Sequence, residues 1–348
     1  MNTKRWNVDT FVDKFIFYPQ IVEAAQILRE NDVVAFPTET VYGLGANALN
    51  NEAVSKIFTA KGRPNDNPLI VHIAKREQLD ELVKQVPFAA EKLIEAFWPG
   101  PLAIILPVKA GVLSEKVTAG LETVAVRMPD HPIALSLIEA ADVPVAAPSA
   151  NSSGKPSPTT AQHVLDDLFG KIAGVVDGGE TGVGVESTVV DCTTDIPTVL
   201  RPGGITMEQL EEVVGEITVD PSLQEGKGTP KSPGMKYTHY APDAPLLLFE
   251  GDQEALQQAV NDLRAQGKKV GVLGTEETTE TLEGAFGISC GNRSNPQTVA
   301  QKLYHTLRLF NEVDVDIILA EVFSKEGVGL AIMNRLEKAA GYCYYTKD

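Results

Sequence analysis

The stretch QIVEAAQILRENDVVAFPTETVYGLG, residues 20–45, decides the fold. Across 20–30 apolar side chains recur at helical spacing, and VVAF (33–36) follows as a short β-branched run that stops at Pro37. The order is helix, strand, then a loop, PTETVYGLG. Working outward, the alternation recurs. AVSKIFTA reads as helix, PLIVHIA as strand, 76–97 as a helical pair, LAIILPV and TVAVRM as strands, IALSLIEAA as helix and VPVAA as strand. HVLDDLF is helical, AGVVD, ESTVVD and PTVLR are strand-like, and MEQLEEVVG closes a first unit near residue 215. Mixed α/β architecture is the consequence.

Residues 220–244 contain four prolines, three glycines and no apolar periodicity, which is linker composition. From 245 the chain reads LLLF strand, EALQQAVNDLRAQ helix, KVGVLG strand, a short TETLEG helix, AFGIS strand, a long helix over 296–312 and VDIILAEV strand. This predicts a smaller, parallel, doubly wound sheet. The expected organisation is therefore a domain over 1–219, a linker over 220–244 able to fold back over a site, and a second domain over 245–348.

The chain has 348 residues, 43% hydrophobic and 22% charged, too many for one small core. Thirty Lys and Arg face 47 Asp and Glu, a net charge of -17 that argues against coating nucleic acid or anionic membrane. A phosphate ligand would have to meet a local basic patch. Cys192, Cys290 and Cys343 form no CxxC pair, and neither a signal peptide nor an apolar membrane span is legible, so a cytoplasmic protein is expected.

No GxxxxGK[ST] occurs, and the glycines of GGETGVG (178–184) precede a strand rather than a helix, so neither a P-loop nor a dinucleotide fingerprint is present. Hydroxyl, amide and cationic side chains gather instead in loops at strand ends, where open α/β sheets place ligand groups. PTETVYGLG offers Thr38, Glu39, Thr40 and Tyr42 on a backbone that two glycines make irregular. AKGRPNDNPLIVHI puts Lys61 and Arg63 just past a helix end, followed by Asn67 and His72; the cations could cap the helix or bind phosphate. VAAPSANSSGKPSPTT supplies Ser149, Asn151, Ser153 and Thr159, with Thr159 or Thr160 able to cap the next helix. Thr123, Ser187 and two arginines at the ends of apolar strands, Arg127 and Arg201, complete the set. Burying such a cation unpaired is costly, so each must reach solvent or an anion. The five histidines show no metal-ligand spacing, and no Ser, Cys or Lys has an adjacent activating base.

The motifs PTETVYGLGAN, KGRPNDNPLIVHI, FWPGPL, VTAGLETVAVRMPDHP, APSANSSGKPSPT, GVESTVV, LRPGG and SPGMKYTHYAP run in order across 33–242 and closely resemble the YrdC/YwlC-type threonylcarbamoyl-AMP synthases. The later α/β unit and its GLAIMNRLEKAA ending are similar to the C-terminal domain of the family's longer members. The resemblance implies a YrdC-like twisted open-sheet α/β domain, a Rossmann-like C-terminal domain and an ordered linker between them. It implies condensation of L-threonine, bicarbonate or carbon dioxide, and ATP to threonylcarbamoyl-AMP and pyrophosphate. A downstream transferase would then modify the adenosine beside the anticodon of tRNAs reading codons that begin with A, with no stable tRNA or membrane binding by this chain.

Carried over position by position, threonine and bicarbonate contacts fall on Thr40, Tyr42, His72, Arg127, Ser149 and Ser187. ATP contacts fall on Lys61, Arg63, Asn67, Thr123, Asn151, Ser153, Thr159, Arg201 and Tyr240, and the PGMKYTHYAP segment is expected to act as a lid with Lys236 near the phosphates. Lys61, Arg63 and Arg201 would stabilise charge without covalent catalysis. Mg2+ would come with ATP, and no protein side chain is expected to ligate it. The rival from another class is an RNA-binding module using the concave face of the YrdC-like domain. Within enzymes the rival is a carbamoyltransferase of the hydrogenase-maturation type, whose zinc-finger and acylphosphatase regions are absent.

Overall fold

The computed structural model describes residues 2–8, 15–221 and 240–346. The chain divides into two compact units, one built from 1–153, 158–182 and 186–236, the other from 237–348 with the short segments 154–157 and 183–185.

The first unit contains eleven strands: β1 (Lys4–Asn7), β2 (Val34–Phe36), β3 (Gly43–Asn47), β4 (Ile70–His72), β5 (Leu102–Pro107), β6 (Thr123–Arg127), β7 (Val145–Ala146), β8 (Gly174–Asp177), β9 (Thr188–Asp191), β10 (Thr198–Arg201) and β11 (Thr218–Val219). They form one mixed sheet in the order β1-β8-β2-β3-β7-β4-β6-β5-β9-β10-β11. The helices that cover it are α1 (Pro19–Arg29), α2 (Asn51–Lys61), α3 (Arg76–Leu82), α4 (Phe88–Phe97), α5 (Glu115–Thr118), α6 (Pro132–Ala141), α7 (Ala161–Leu168) and α8 (Met207–Val214).

Strand alternation assigns the faces. Ala35, Val71, Ile104, Val124, Val126, Val190 and Val199 pack with Ile57 of α2, Leu93 of α4 and Leu210 of α8 in the main core. On the opposite face, Val34, Phe36, Val145 and Val176 pack beneath α1 and α6. Farther along that second face lies a separate cluster of Ile70, Ala103, Ile105, Ala125, Val189 and Leu200, all of them strand residues. Among the described residues this cluster contains no helix residue.

PTETVYGLG is not a wholly irregular loop, because Gly43–Asn47 is a strand antiparallel to β2. Its glycines serve close approach rather than an unusual φ. A Cβ on Gly45 would lie 2.7 Å from the Phe36 ring and 2.8 Å from Val145 Cγ1. Lys61 is not past its helix but is the last residue of α2, which Gly62 ends at φ +61°.

In the second unit β12 (Leu246–Phe249), β13 (Val270–Gly274), β14 (Phe286–Ser289) and β15 (Ile317–Glu321) form a four-stranded, all-parallel sheet in the order β12-β15-β13-β14. Its helices span Gln253–Ala265, Glu276–Thr279, Pro296–Leu309 and Gly329–Ala339. The short helix lies N-terminal to the TETLEG segment expected to carry it. Glu276 and Glu277 favour a helix start just after the strand, whereas the threonines that follow propagate a helix poorly.

Candidate active site

The sheet brings distant sequence positions together on the face that carries the Ile70, Ala125 and Leu200 cluster. His72 ends β4 and stands in register with Arg127 at the end of the parallel strand β6. Thr123, Ala125 and Arg127 share one face of β6, so Thr123 and Arg127 mark the two ends of a track roughly 13 Å long. Arg201 reaches the same face through a bulge. Val199 opposes Val190 and Arg201 opposes Val189, leaving Leu200 as the extra residue. Period-two alternation alone would send Arg201 into the main core with Val199; the bulge re-aims it.

Each cation is held by oxygens of the fold. Arg201 Nε and Nη2 donate to the Ser187 carbonyl at 3.0 and 2.8 Å, and Nη2 to the Ser187 hydroxyl at 3.1 Å. Lys61 donates to the Asn151 carbonyl at 2.7 Å, to its side-chain oxygen at 3.2 Å and to the Ser149 carbonyl. The Ser149 hydroxyl donates to the same Asn151 oxygen at 2.6 Å. Arg63 Nη2 donates to the Asn67 carbonyl at 3.2 Å. Arg127 Nε donates to the Gly100 carbonyl at 3.2 Å and Nη1 to the Thr40 hydroxyl at 3.0 Å, while Nη2 lies 2.6 Å from Glu39 Oε2. Lys61, Arg127 and Arg201 are nevertheless buried, at 5, 4 and 5% exposure.

Burial holds His72 and His131 as neutral groups. Burial, then the neighbouring Arg127, and more weakly Arg201, push the His72 pKa down to about 3. His131, at the start of α6, is pushed down to about 4 by burial, against an upward pull from Glu39. Buried polar atoms without a hydrogen-bond partner concentrate here: both Glu39 carboxylate oxygens, Asn67 Oδ1, His72 Nδ1, His131 Nδ1 and Arg127 Nη2, whose approach to Glu39 is an ion pair lacking hydrogen-bond geometry. Leaving a buried polar group unsatisfied costs about 1–3 kcal/mol. Their gathering marks a surface shaped for a polar ligand.

Other expected site residues have different surroundings. The Tyr42 hydroxyl donates to the Gly179 carbonyl at 2.7 Å and accepts from Gly178 N–H at 3.3 Å. Burial, reinforced by Asp177, pushes its pKa above the ordinary phenol value. Thr159 pairs with His163 Nδ1, and Thr160 caps α7. Ser153 is exposed, its N–H donating to the Lys61 carbonyl at 2.8 Å. Tyr240, in the second unit, stacks on Tyr304 with ring centroids 5.1 Å apart. Lys236 lies outside the described residues. Glu39 and His131 were not among the expected contacts. In the second unit, the strand end after KVGVLG is filled by its own network, in which Glu321 accepts from Thr275 N–H at 3.0 Å, Thr278 Oγ1 at 2.7 Å and Arg293 at 2.7 Å.

A family profile described as "Telomere recombination", covering the Sua5, YciO and YrdC proteins, matches residues 26–203, and one described as "Threonylcarbamoyl-AMP synthase, C-terminal domain" matches 205–341. The chain belongs to the threonylcarbamoyl-AMP synthase family. It is 59% identical to the threonylcarbamoyl-AMP synthase of Bacillus subtilis (strain 168), over 98% of this chain and 99% of the relative. It is 52% identical to that of Pyrococcus abyssi, over 92% and 93%. Among solved structures, P. abyssi Sua5 complexed with L-threonine superposes with a TM-score of 0.92 at 48% identity, covering 99% of this chain and all of that one. Membership makes the protein a nucleotidyltransferase acting in tRNA threonylcarbamoyladenosine formation, a Sua5-type synthase with a YrdC domain followed by the Sua5 C-terminal domain. Among the described residues no helix is long and apolar enough to cross a membrane.

Proposed function

We propose that the protein condenses L-threonine, bicarbonate or carbon dioxide, and ATP on the sheet face between Thr123 and Arg127. The threonine ammonium gives up a proton to water, and the free amine then adds to carbon dioxide with release of a second proton, or to bicarbonate with loss of water. The resulting N-carboxylate attacks the α-phosphorus of ATP, a new P–O bond forms, and pyrophosphate leaves. Two anions meet in that step, so charge screening and positioning are the central demands. Lys61, Arg63 and Arg201 screen the phosphates, while Arg127, with Thr40, His72, Ser149 and Ser187 beside it, holds the amino acid. Asn67, Thr123, Asn151 and Thr159 contact the nucleotide.

The observation that carries this reading is the buried Arg127 guanidinium, oriented by Thr40 and Gly100 and flanked by polar atoms without hydrogen-bond partners. Among the described residues no three His, Cys, Asp or Glu side chains converge as a metal cage. In this reading Mg2+ enters with the ATP substrate, bound to phosphate oxygens and water.

In this reading residues 1–219 are the catalytic domain, 245–348 a Rossmann-like second domain and 220–244 the linker, of which 222–239, Lys236 included, lie outside the described residues. The protein works in the cytoplasm and hands its product to a tRNA transferase. Pyrophosphate release tests the reading: it should require threonine and bicarbonate together. Release without threonine, or salt-sensitive tRNA binding with no release at all, would overturn it.

A further inference from the structure

Among the described residues beside Arg127, Glu39 is a largely buried charge to which the proposed chemistry gives no task. Its side chain is 13% exposed and its Oε2 lies 2.6 Å from Arg127 Nη2, yet neither carboxylate oxygen accepts a hydrogen bond. The surrounding loop does not supply one. The Thr38 hydroxyl is engaged with the Val41 carbonyl at 2.7 Å and the Thr40 hydroxyl at 2.8 Å, and Thr40 in turn accepts from Arg127. A carboxylate can accept at about four lone-pair positions, so a purely structural glutamate this deep would be expected to have donors around it.

We propose that Glu39 recognises the α-ammonium group of the substrate, so that the Arg127–Glu39 pair reads the head of a zwitterionic amino acid as a unit. This rests on the reading of Arg127 as the carboxylate holder. If a carboxylate alone docked on Arg127, two negative groups would share one buried guanidinium. The histidines that face the pair from the start of α6 and from β4 add no charge to offset the excess, because His131 and His72 are neutral near pH 7. A buried uncompensated charge is strongly unfavourable. An α-amino acid removes the excess, since its ammonium is one carbon from its carboxylate and arrives beside Glu39. Substrate and site then form two antiparallel ion pairs with no net charge. The arrangement thereby selects α-amino acids against hydroxy acids and simple carboxylic acids, discriminating by repulsion as well as by attraction.

Calorimetric binding of L-threonine and of 2,3-dihydroxybutyrate, which replaces the ammonium by a hydroxyl, tests this in the full-length wild type, Glu39→Gln and Arg127→Ala. Wild type should prefer threonine by at least ~10-fold, the scale of a charge-assisted hydrogen bond. Glu39→Gln should lose threonine affinity, gain affinity for the dihydroxy acid and bring the ratio toward one, and Glu39→Asp should restore part of the preference. Equal wild-type affinity for both ligands overturns the proposal whether or not the variants fold. So does a Glu39→Gln protein that binds threonine as well as wild type, where Glu39 merely occupies Arg127, or one that loses both ligands equally, where its role is structural. Unchanged threonine binding by Arg127→Ala, in contrast, places the amino acid elsewhere and removes the underlying reading together with this one.

Discussion

Lys61, the last residue of α2, donates a 2.7 Å hydrogen bond to the carbonyl of Asn151, 90 positions away in sequence, and fixes the loop after β7 against the helix end. Hydrogen bonds to a charged group contribute about 1.5–3 kcal/mol each, and losing the ammonium strands several buried oxygens. Lys61→Met should lower unfolding stability by about 2 kcal/mol or more and reduce pyrophosphate release at least ~10-fold. Urea unfolding beside a turnover assay separates the two losses. Full activity in a destabilised protein would make Lys61 a structural tie only.

The sequence made most elements legible because they are long enough to show a period, as α1 does with Ile21, Ala24, Ala25 and Leu28 on one buried face. β1 was illegible: Lys4–Asn7 has a single buried residue, Trp6, between charged and polar neighbours, and it is a strand through its parallel pairing with β8, which no apolar pattern announces. At the site, residue types at strand ends pointed to Arg127 and Arg201. The Arg201 bulge was invisible, since one unpaired residue leaves no trace in a pattern of apolar side chains. Glu39 was legible as a polar group of its loop, but its pairing with Arg127 was not, and would have been found by asking which carboxylate accompanies a cation buried at the end of β6. The close match of motifs to a known family, rather than spacing, suggested the division into amino-acid and nucleotide contacts.

Close packing at Gly45 gives a stability prediction. A Cβ there meets the Phe36 ring edge at 2.7 Å and Val145 Cγ1 at 2.8 Å, both in the core under α1 and α6. Gly45→Ala should destabilise by about 1–3 kcal/mol through overpacking, even though its φ suits any residue. An unchanged denaturation midpoint would show that β2 and β3 can separate freely.

The histidines predict how stability depends on pH. His72 is held near 3 and His131 near 4, whereas an unfolded histidine titrates near 6.5. The folded state therefore binds fewer protons below about pH 6.5, and stability falls as pH drops from there toward the folded values. Each fully differing proton contributes about 1.4 kcal/mol per pH unit. His72→Gln should flatten the slope of unfolding free energy between pH 6 and 4 while leaving pH 8 stability less affected. Urea titrations at four pH values would measure it, and an unchanged slope would mean that His72 is protonated in the fold.

The bulge at Leu200 predicts that geometry, not charge alone, makes Arg201 effective. Its Nε and Nη2 both converge on the Ser187 carbonyl, a planar fork that an ammonium cannot reproduce. Arg201→Lys should keep the charge but lose the fixed direction, reducing pyrophosphate release at least ~10-fold with a raised KM for ATP. Deleting Leu200 is the sharper variant. It restores period two along β10 and leaves the arginine directly after Val199, so the arginine keeps the face it shares with Val189 while the bend of the bulge and the buried Leu200 side chain are lost. That protein should lose stability through the missing Leu200 side chain, and should lose turnover if the bend itself aims the guanidinium, whereas Arg201→Lys should melt near the wild-type temperature. If the lysine variant turns over ATP normally, a positive charge anywhere near Ser187 suffices and the bulge has no catalytic purpose.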